Sequence, residues 1–293
     1  MTISAKVRRP PAISPTSKRR PLRGGLMALG LALLGTFAVF PFIWMAFTSV
    51  RPQEDLFQSD NPWTISRFTM EHYRFLLLET EYLRWIANSA IVATVATMIA
   101  LVIGTFAAYA LGRLNFRGAG AVALVVFATY LVPPVLLFIP LNTVVRQLRL
   151  TNTLWALIVV YLTFLVPFIA WLLSSYFAGL PKELSEAARI DGASYLQTML
   201  LVDMPLILPG VVSVFFFAFT LAWQEFLYAF TFLRSSDKYP VSVGVVNELS
   251  VGDVQFWGEL MAGALLGSIP IVVLFAFLMD FYVEGLTAGA VKG

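Results

Sequence analysis

The polar residues that could carry chemistry are concentrated in one stretch, ELSEAARIDGASYLQTMLLVDMP at positions 183–205. It places Glu183, Glu186, Arg189 and Asp203 between two long apolar segments. Charged side chains beside small residues could contact another protein. A solvated connecting loop would have the same composition, so the stretch alone leaves both interpretations open.

Other reactive groups are scarce. The chain has no cysteine and a single histidine, which excludes disulfides, thiolate metal sites and cysteine nucleophiles. His72 lies in a polar segment and is interpreted as a solvated residue. The sequence contains no G-x-x-x-x-G-K-[ST] loop to cradle phosphates. We therefore expect no catalytic residue, no metal site and no cofactor bound by this chain.

The polar stretch contains its own helix start and stop signals. Pro181 suits a first helical turn, and Glu183 and Glu186 lie near that positive end of the helix, where carboxylates are favourable. Gly192 suits the left-handed residue that ends a helix. The S-x-x-Q pattern of 194–197 is a capping box for a second helix. The sequence predicts a short helix, a sharp glycine turn and a second helix leading into an apolar span.

One face of the first predicted helix is small. Leu184, Ala187, Ala188 and Asp191 follow the i, i+3, i+4, i+7 spacing of a single helix face. Adjacent alanines let the backbone of another protein approach closely. This face is therefore the predicted contact surface if the stretch docks a partner.

The composition defines the class of protein that carries this stretch. Of 293 residues, 59% are hydrophobic and 13% charged, and the mean hydropathy is +0.80. A soluble domain carries about 25% charged residues, and apolar runs of about 20 residues cross a bilayer. The sequence predicts an all-α, polytopic membrane protein with six spans, at about 26–47, 86–111, 119–145, 153–178, 204–233 and 259–283.

The termini and the polar stretch are predicted on the same side of the membrane. Residues 1–25 are rich in Pro, Ser, Lys and Arg and read as a disordered basic tail. The apolar run that follows is too long for a signal peptide and is interpreted as a retained span. Six spans put both termini on one side, and most Lys and Arg lie there, which predicts a cytoplasmic location. Segments 49–85 and 234–258 are then external.

Glu225 is the carboxylate predicted within a span, near the outer end of the fifth. Intramembrane carboxylates are functional-site candidates. With Trp223, Gln224 and Tyr228 it offers the acceptors, donors and ring faces that bind sugars, and Tyr130 is a further candidate for a substrate path. The alternative is structural, with Glu225 reaching the membrane surface or a neighbouring subunit and Trp223 in the interfacial aromatic belt.

The stretch LPKELSEAARIDGASYLQTMLLVDMPLILPG resembles the signature loop of ABC importer permease subunits, the EAA motif. Glu186, Ala187, Ala188 and Gly192 match the motif, and Pro205 closes it. The resemblance extends to RWIANSAIVATVAT, FAAYALGRLNFRG and WQEFLYA, where Gln224 replaces the usual Asn. The ending FYVEGLTAGAVKG is similar to the carbohydrate-uptake branch, specifically the maltose-type second permease.

The resemblance implies a type I ABC importer permease fold whose loop 179–205 is the coupling loop for a cytosolic ATPase. It assigns ATPase coupling to Glu183, Glu186, Ala187, Ala188, Asp191 and Gly192. It also implies a permease domain over 26–284 and a C-terminal cytoplasmic tail over 285–293. This tail lacks an apolar stripe and is expected to fray, and Gly285, Thr287, Gly289 and Lys292 would contact the ATPase.

The implied function is import of a mono- or oligosaccharide across the inner membrane. The implied partners are a second permease, two ATPase subunits that bind ATP and Mg²⁺, and an extracytoplasmic sugar-binding protein. The same machinery importing glycerol phosphate or a polyamine is the first alternative. An ion-coupled secondary transporter is a more remote alternative, because such transporters have no ATPase-docking loop. An intramembrane enzyme is more remote still, because the spans contain no Ser–Lys, Asp–Asp or His-rich set.

Overall fold

The computed structural model describes residues 21–58, 61, 63–114, 116–251 and 254–290, and these residues are mainly helical. The helices are α1 Pro21–Ser49, α2 Gln53–Gln58, α3 Glu71–Leu78, α4 Tyr82–Arg113, α5 Ala119–Tyr130, α6 Pro134–Gln147, α7 Leu154–Gly179, α8 Lys182–Ile190, α9 Tyr195–Thr198, α10 Met204–Trp223, α11 Leu227–Phe232, α12 Val241–Glu248 and α13 Trp257–Ala290. A π-helical turn, Met199–Asp203, joins α9 to α10, and a 3₁₀ turn covers Ser236–Lys238. Strands β1 Ser250–Val251 and β2 Val254–Gln255 pair antiparallel. The predicted all-α class is confirmed apart from this small hairpin.

Among the described residues, five helices are long and apolar enough to cross a membrane. They cover Met27–Ser49, Tyr82–Arg113, Leu154–Gly179, Tyr195–Trp223 and Trp257–Met279. The remaining predicted span, the third at 119–145, is the pair α5 and α6, which is bent by 92°. Pro133 precedes α6 and Pro134 begins it, and the residue before a proline is disfavoured in a helical conformation. The polytopic architecture is therefore confirmed, with the third span broken.

The chain divides into two units, Met1–Trp44 and Met45–Gly293. In the first unit the described residues form most of α1, where the rings of Phe40 and Trp44 are stacked with centroids 6.3 Å apart. α1 begins at Pro21, five residues before the predicted boundary, because proline is pre-organised for a first helical turn. The remainder of the predicted basic tail, 1–20, lies outside the described residues.

The second unit is built on the packing of α4 along α7. α4 presents a stripe of small residues to its neighbours, and Ala93, Ala100 and Ala108 are fully buried. A Cβ at Gly112 would lie 2.6 Å from the backbone oxygen of Ser174 and 2.9 Å from Cβ of Phe177. Small residues permit this close approach of helices in a membrane, where packing replaces the hydrophobic effect as the force between helices.

The N-terminal end of α4 holds the segment that follows α11. Asn88 donates from Nδ2 to the carbonyl oxygens of Asp237 and Tyr239, at 3.1 and 3.0 Å. Ser89 Oγ accepts from the backbone N–H of Val241 at 2.8 Å. These bonds fix the start of α12 against α4 at the end of the bundle opposite α8.

Two predicted boundaries are wrong. The fifth span does not run over 204–233; it includes Tyr195–Trp223 and then breaks, and α11 is a separate short helix. The C-terminal segment does not fray from 285, since the backbone of α13 stays helical to Ala290. The alanines and leucine of GLTAGA are good helix formers, which offsets the cost of its glycines. Lys292 lies outside the described residues.

The interpretation of His72 as a solvated residue is also wrong. It lies in α3 and is 4% exposed. Its Nδ1 lies 3.0 Å from Oε1 of Glu259, and its Nε2 lies 2.7 Å from the carbonyl oxygen of Arg51. A Cβ at Gly258 would overlap the imidazole, so the glycine provides the space that the ring fills. A counter-charge and a fitted space thus hold α3 against the start of α13.

The environment of His72 shifts its titration. Burial lowers the pKa of His72, but the Glu259 carboxylate, the hydrogen bond with the Arg51 carbonyl and the charge of Glu71 together outweigh burial. The net effect raises the pKa of His72 above its ordinary value of 6.5. The protonated ring therefore stabilises the folded protein.

We expect this stabilisation to depend on pH. It is fully present below the unfolded pKa and is lost as the pH rises through the raised folded pKa. The apparent melting temperature of the wild type should therefore fall more steeply above pH 6.5 than that of His72→Gln. Tryptophan fluorescence during thermal unfolding measures both curves, and parallel curves would contradict the prediction.

Candidate functional site

The polar stretch forms the two predicted helices and the glycine turn between them. We call α8, this turn and α9 the elbow. α8 ends at Ile190, and the second helix begins at Tyr195. Of the residues assigned to coupling, Glu183, Glu186, Ala187, Asp191 and Gly192 are exposed, and Ala188 is half-buried. The elbow brings all six together on one short element that projects from the helix bundle.

Gly192 ends α8 in a left-handed conformation, with φ at +92°. The N–H of Gly192 donates to the carbonyl of Arg189 at 3.1 Å, and the N–H of Ala193 donates to that of Ala188 at 3.0 Å. This pair of bonds is a Schellman motif, which satisfies carbonyls left free at a helix end. The predicted glycine turn is confirmed, with a hydrogen-bonded geometry that makes it stiff.

The second helix begins with the predicted capping box. The N–H of Ser194 donates to Oε1 of Gln197 at 2.8 Å, and the N–H of Gln197 donates to Oγ of Ser194 at 3.3 Å. Across the turn, the guanidinium of Arg189 lies 4.2 Å from the ring centroid of Tyr195. This cation–π contact adds a side-chain link between the two arms of the elbow.

A buried ion pair fixes the elbow to the membrane helices. Nη2 of Arg113, the last residue of α4, lies 3.1 Å from Oδ1 of Asp203. The same nitrogen donates to Oγ of Ser185 at 2.7 Å and to the carbonyl of Pro181 at 2.9 Å. Nη1 donates to the carbonyl of Leu180 at 2.9 Å. One arginine therefore binds the end of α7, α8 and the start of the fifth span.

Asp203 is the buried acceptor of the cluster that it forms with Arg113 and Ser185. Its side chain is fully buried, and that of Arg113 is 5% exposed. Oγ of Ser185 donates to both carboxylate oxygens of Asp203, at 2.9 and 3.1 Å. Arg113 and Asp203 were not predicted as partners; a carboxylate next to an apolar span is the signal that could have identified this anchor.

The π-helical turn explains how Asp203 reaches the cluster. The N–H of Met204 donates to the carbonyl of Met199, five residues earlier. Pro205 has no N–H, so the carbonyl of Leu201 lacks its usual α-helical donor. Such wide turns occur frequently at functional sites. Here the turn includes Asp203, the residue that the Arg113 guanidinium binds.

The elbow presents apolar as well as ionic surface. Ile190 is 86% exposed, although isoleucine is usually among the most buried residues. It lies three positions after Ala187 and so shares a face with it. Ile190 was not among the residues predicted for the contact face, which were Leu184, Ala187, Ala188 and Asp191. Large exposed apolar residues of this kind mark interaction sites.

A cavity of about 420 Å³ lies behind α8, between it and the end of α4. Its walls include Arg113, Lys182 and Arg189 as cations, Glu186 as an anion, and Tyr109 as an aromatic ring. Glu186 therefore faces basic residues of its own chain as well as open surface. The base of the elbow is polar and has room for a neighbouring side chain.

The predicted substrate-path residues do not form one group. Trp223 is buried, donates from Nε1 to the carbonyl of Gly267 at 3.2 Å, and packs against α13. The ring of Tyr130 packs against Phe168, with centroids 5.6 Å apart. Gln224 is exposed at the break after α10. Trp223 and Tyr130 thus make contacts within the chain.

Glu225 and Tyr228 do lie together, and they support both helix breaks. Glu225 lies in the break after α10, not within a span, and its carboxylate accepts from the N–H groups of Tyr228 and Ala229 at 2.9 and 3.2 Å. It also accepts from the hydroxyl of Tyr161 at 2.9 Å, a partner that the sequence did not indicate. Tyr228 donates its hydroxyl to the carbonyl of Pro134 at 2.9 Å. The bonds of Glu225 satisfy N–H groups that the break before α11 leaves free, and the hydroxyl of Tyr228 links α11 to α6.

Comparison with known proteins identifies the class. Residues 100–287 match the family described as binding-protein-dependent transport system inner membrane component. The chain is 34% identical over 280 residues to the inner membrane ABC transporter permease protein YcjP of Escherichia coli, covering 95% of this chain and 99% of YcjP. It is 33% identical over 270 residues to the trehalose/maltose transport system permease protein MalG of Thermococcus litoralis, covering 92% and 96%.

A solved structure shows the same fold. The crystal structure of a bacterial ABC transporter involved in import of the acidic polysaccharide alginate contains a chain that matches with a TM-score of 0.75 and 19% identity. The match covers 92% of this chain and all of that chain. The protein belongs to the binding-protein-dependent transport system inner membrane component family. It is a multi-pass membrane transport subunit of the ABC permease class.

We expect the anchor of the elbow to fail in Asp203→Asn. The variant leaves the Arg113 guanidinium buried without its counter-charge, and breaking a buried pair costs about 3 kcal/mol. The apparent melting temperature should fall, and backbone amides of 182–193 should exchange hydrogen faster by mass spectrometry. Asp191→Asn is the matched control, since that carboxylate is exposed in the same loop. Equal behaviour of the two variants would contradict the prediction.

Proposed function

We propose that this chain is a permease subunit of an ATP-driven importer that moves a sugar delivered by an extracytoplasmic binding protein. The observation that carries the proposal is the exposed elbow of α8 and α9, joined to α4 and the fifth span by Arg113 and Asp203. The relatives include a trehalose/maltose permease, and the solved neighbour belongs to an alginate importer. These names support a saccharide as the class of substrate.

In this proposal α8 docks on a cytosolic ATPase subunit. Glu183 and Glu186 supply ionic contacts, and Ala187 with Ile190 supplies a small and apolar surface for the partner. Asp191 and Gly192 end the helix at a defined angle. Because Arg113 binds both α8 and Asp203, a displacement of α8 moves the ends of α4 and α10 with it. A stiff, anchored helix transmits such a rotation where a flexible loop would not.

The complete assembly contains a second permease, two ATPase subunits that bind ATP and Mg²⁺, and the sugar-binding protein. Both termini and the elbow face the cytoplasm. Residues 285–293, with Gly285, Thr287, Gly289 and Lys292, form a second contact with the ATPase. The segment that contains Gln224, Glu225 and Tyr228 lies beside the substrate path, and the exposed side-chain amide of Gln224 faces it. Trp223 and Tyr130 hold this region through their contacts within the chain.

Stimulation of ATP hydrolysis tests the proposed function. The complex is purified with its binding protein, reconstituted in lipid, and assayed with neutral and acidic oligosaccharides, glycerol phosphate and spermidine. We expect a saccharide to raise ATP hydrolysis above its basal rate, because the loaded binding protein triggers the coupled cycle. Stimulation by glycerol phosphate or spermidine alone would show that the sugar substrate is wrong and that the chain serves a non-sugar importer.

We expect Gly192→Val to uncouple ATP hydrolysis from uptake. A β-branched residue at φ +92° is strained by about 1–3 kcal/mol, and the space around Gly192 is open, so the backbone alone sets the cost. Uptake of radiolabelled sugar should fall while ATP hydrolysis persists.

Two controls separate coupling from general strain. Gly118→Val carries the same strain at φ +88°, also in open space, but in the turn between α4 and α5. Gly192→Asn retains the left-handed conformation, which asparagine tolerates. Both controls should transport sugar, and normal uptake by Gly192→Val would refute the role of α8 in coupling.

A further inference from the structure

A second polar cavity lies at the end of the bundle opposite α8. It measures about 300 Å³, and its polar walls are Asn142, Arg146, Thr151, Thr231 and Arg234. We call these five residues the arginine groove. The end of α6, the turn before α7 and the end of α11 supply them. A volume near 300 Å³ is at the lower limit of small-molecule sites, which suits a group of monosaccharide size.

The backbone of the arginine groove is fixed by Asn152. Its Oδ1 accepts from the N–H groups of Arg234 and Ser235, at 2.9 and 3.2 Å, and its Nδ2 donates to Oγ of Ser235 at 2.8 Å. The N–H of Asn152 donates to the carbonyl of Phe232 at 3.0 Å. Asn152 adopts a φ of +59°, a conformation in which asparagine is enriched. The two walls that carry Thr151 and Arg234 are therefore joined directly.

The floor of the arginine groove is rigid as well. Val145 and Phe232 line it and are almost fully buried. The ring of Phe232 stacks on Phe138 of α6, with centroids 6.4 Å apart. α6 and α11 are thus packed together beneath the polar side chains. The groove is preorganised by hydrogen bonds and packing, which lowers the entropic cost of binding a ligand.

The charge of the arginine groove is one-sided. Two guanidinium groups line it and no carboxylate does. Across the described part of the chain, no Asp or Glu lies within ion-pair distance of Arg146 or Arg234. Arg51 and Arg113, by contrast, use their guanidinium groups in hydrogen bonds to their own chain. The groove therefore offers planar donors to an anion from outside the chain, and guanidinium groups match a carboxylate or sulfonate in geometry.

We propose that the arginine groove binds the acidic group of an anionic saccharide on its way to the translocation path. This rests on the proposed function and names its substrate class: a sugar that carries a carboxylate or a sulfonate. Arg146 and Arg234 bind the acidic group through charge-assisted hydrogen bonds. Asn142, Thr151 and Thr231 supply donors and acceptors for the neighbouring hydroxyl groups of the sugar.

The location of the groove fits this role. α7 runs from Leu154, next to the groove, to Gly179, next to α8, so the groove and the elbow lie at opposite ends of the same helix. With the elbow in the cytoplasm, the groove faces the side from which the binding protein releases substrate. An exposed cationic groove at that side also raises the local concentration of an anionic ligand.

Binding to the reconstituted complex tests the inference. The permease pair and ATPase subunits are placed in nanodiscs of uncharged lipid, without the binding protein. The probes are a galacturonate disaccharide, a sulfonated glucose, and the neutral galactose disaccharide with the same linkage. The increase in apparent melting temperature is measured against the concentration of each probe. We expect saturable stabilisation by at least one acidic probe and none by the neutral disaccharide.

Substitutions assign the binding to the groove. Arg146→Gln and Arg234→Gln should each raise the half-saturating concentration of the acidic probe about tenfold, because each removes a charge-assisted hydrogen bond. Arg149→Gln is the matched control, an exposed arginine of the same turn that does not line the cavity, and it should bind as the wild type does. Arg146→Lys should restore part of the affinity, since it keeps the charge.

The outcomes separate this inference from the proposed function. If neutral sugars stimulate ATP hydrolysis and the groove variants respond as the wild type does, the acidic substrate class is wrong while sugar import stands. If no sugar of either kind acts, both are wrong. If the variants lose only stabilisation by phosphatidylglycerol nanodiscs, the groove binds lipid headgroups and the inference is overturned.

Discussion

The contact between Arg113 and Asp203 is the interaction on which the architecture of the α8–α9 elbow depends. α8 is nine residues long and exposed, and so short a helix is not stable in water without tertiary support. The buried pair supplies that support and connects α8 to two membrane helices at once. Ser185 completes it by bonding both partners. The charges are costly to bury, so their presence indicates a demand for fixed geometry as much as for stability.

The membrane imposes a second constraint, since backbone groups released by a helix break must find partners inside the protein. A side chain provides them at the break after α10, where Glu225 binds the free N–H groups at the start of α11. The hydroxyl of Tyr228 binds the carbonyl of Pro134 and so links α11 to α6. Residues that look like a binding site in sequence thus have a structural role as well. Gln224, which the structure leaves exposed, is the member of that motif most open to a ligand.

Local signals in the sequence predicted local structure well. The apolar runs defined the spans, and the glycine and capping box defined the elbow, because both depend on neighbouring residues. Contacts between distant residues were not predictable in this way. Arg113 and Asp203 are 90 positions apart, and no periodicity connects them. His72 was misjudged for the same reason, since its partner Glu259 lies on another helix. The π-helical turn was not predicted either, although Pro205, which leaves the Leu201 carbonyl without its α-helical donor, is the local feature that accompanies it.

Arg113 divides its hydrogen bonds between backbone carbonyls and side chains, and this division determines which of its partner positions can be substituted. Its bonds to positions 180 and 181 go to backbone carbonyls, which every amino acid provides. Its bonds to Ser185 and Asp203 go to side chains. Substitution at 180 and 181 therefore leaves the arginine its acceptors. The side chains at 113, 185 and 203, by contrast, each depend on the type of the other two. Among related chains, these three positions are expected to covary, and the two carbonyl positions to drift independently.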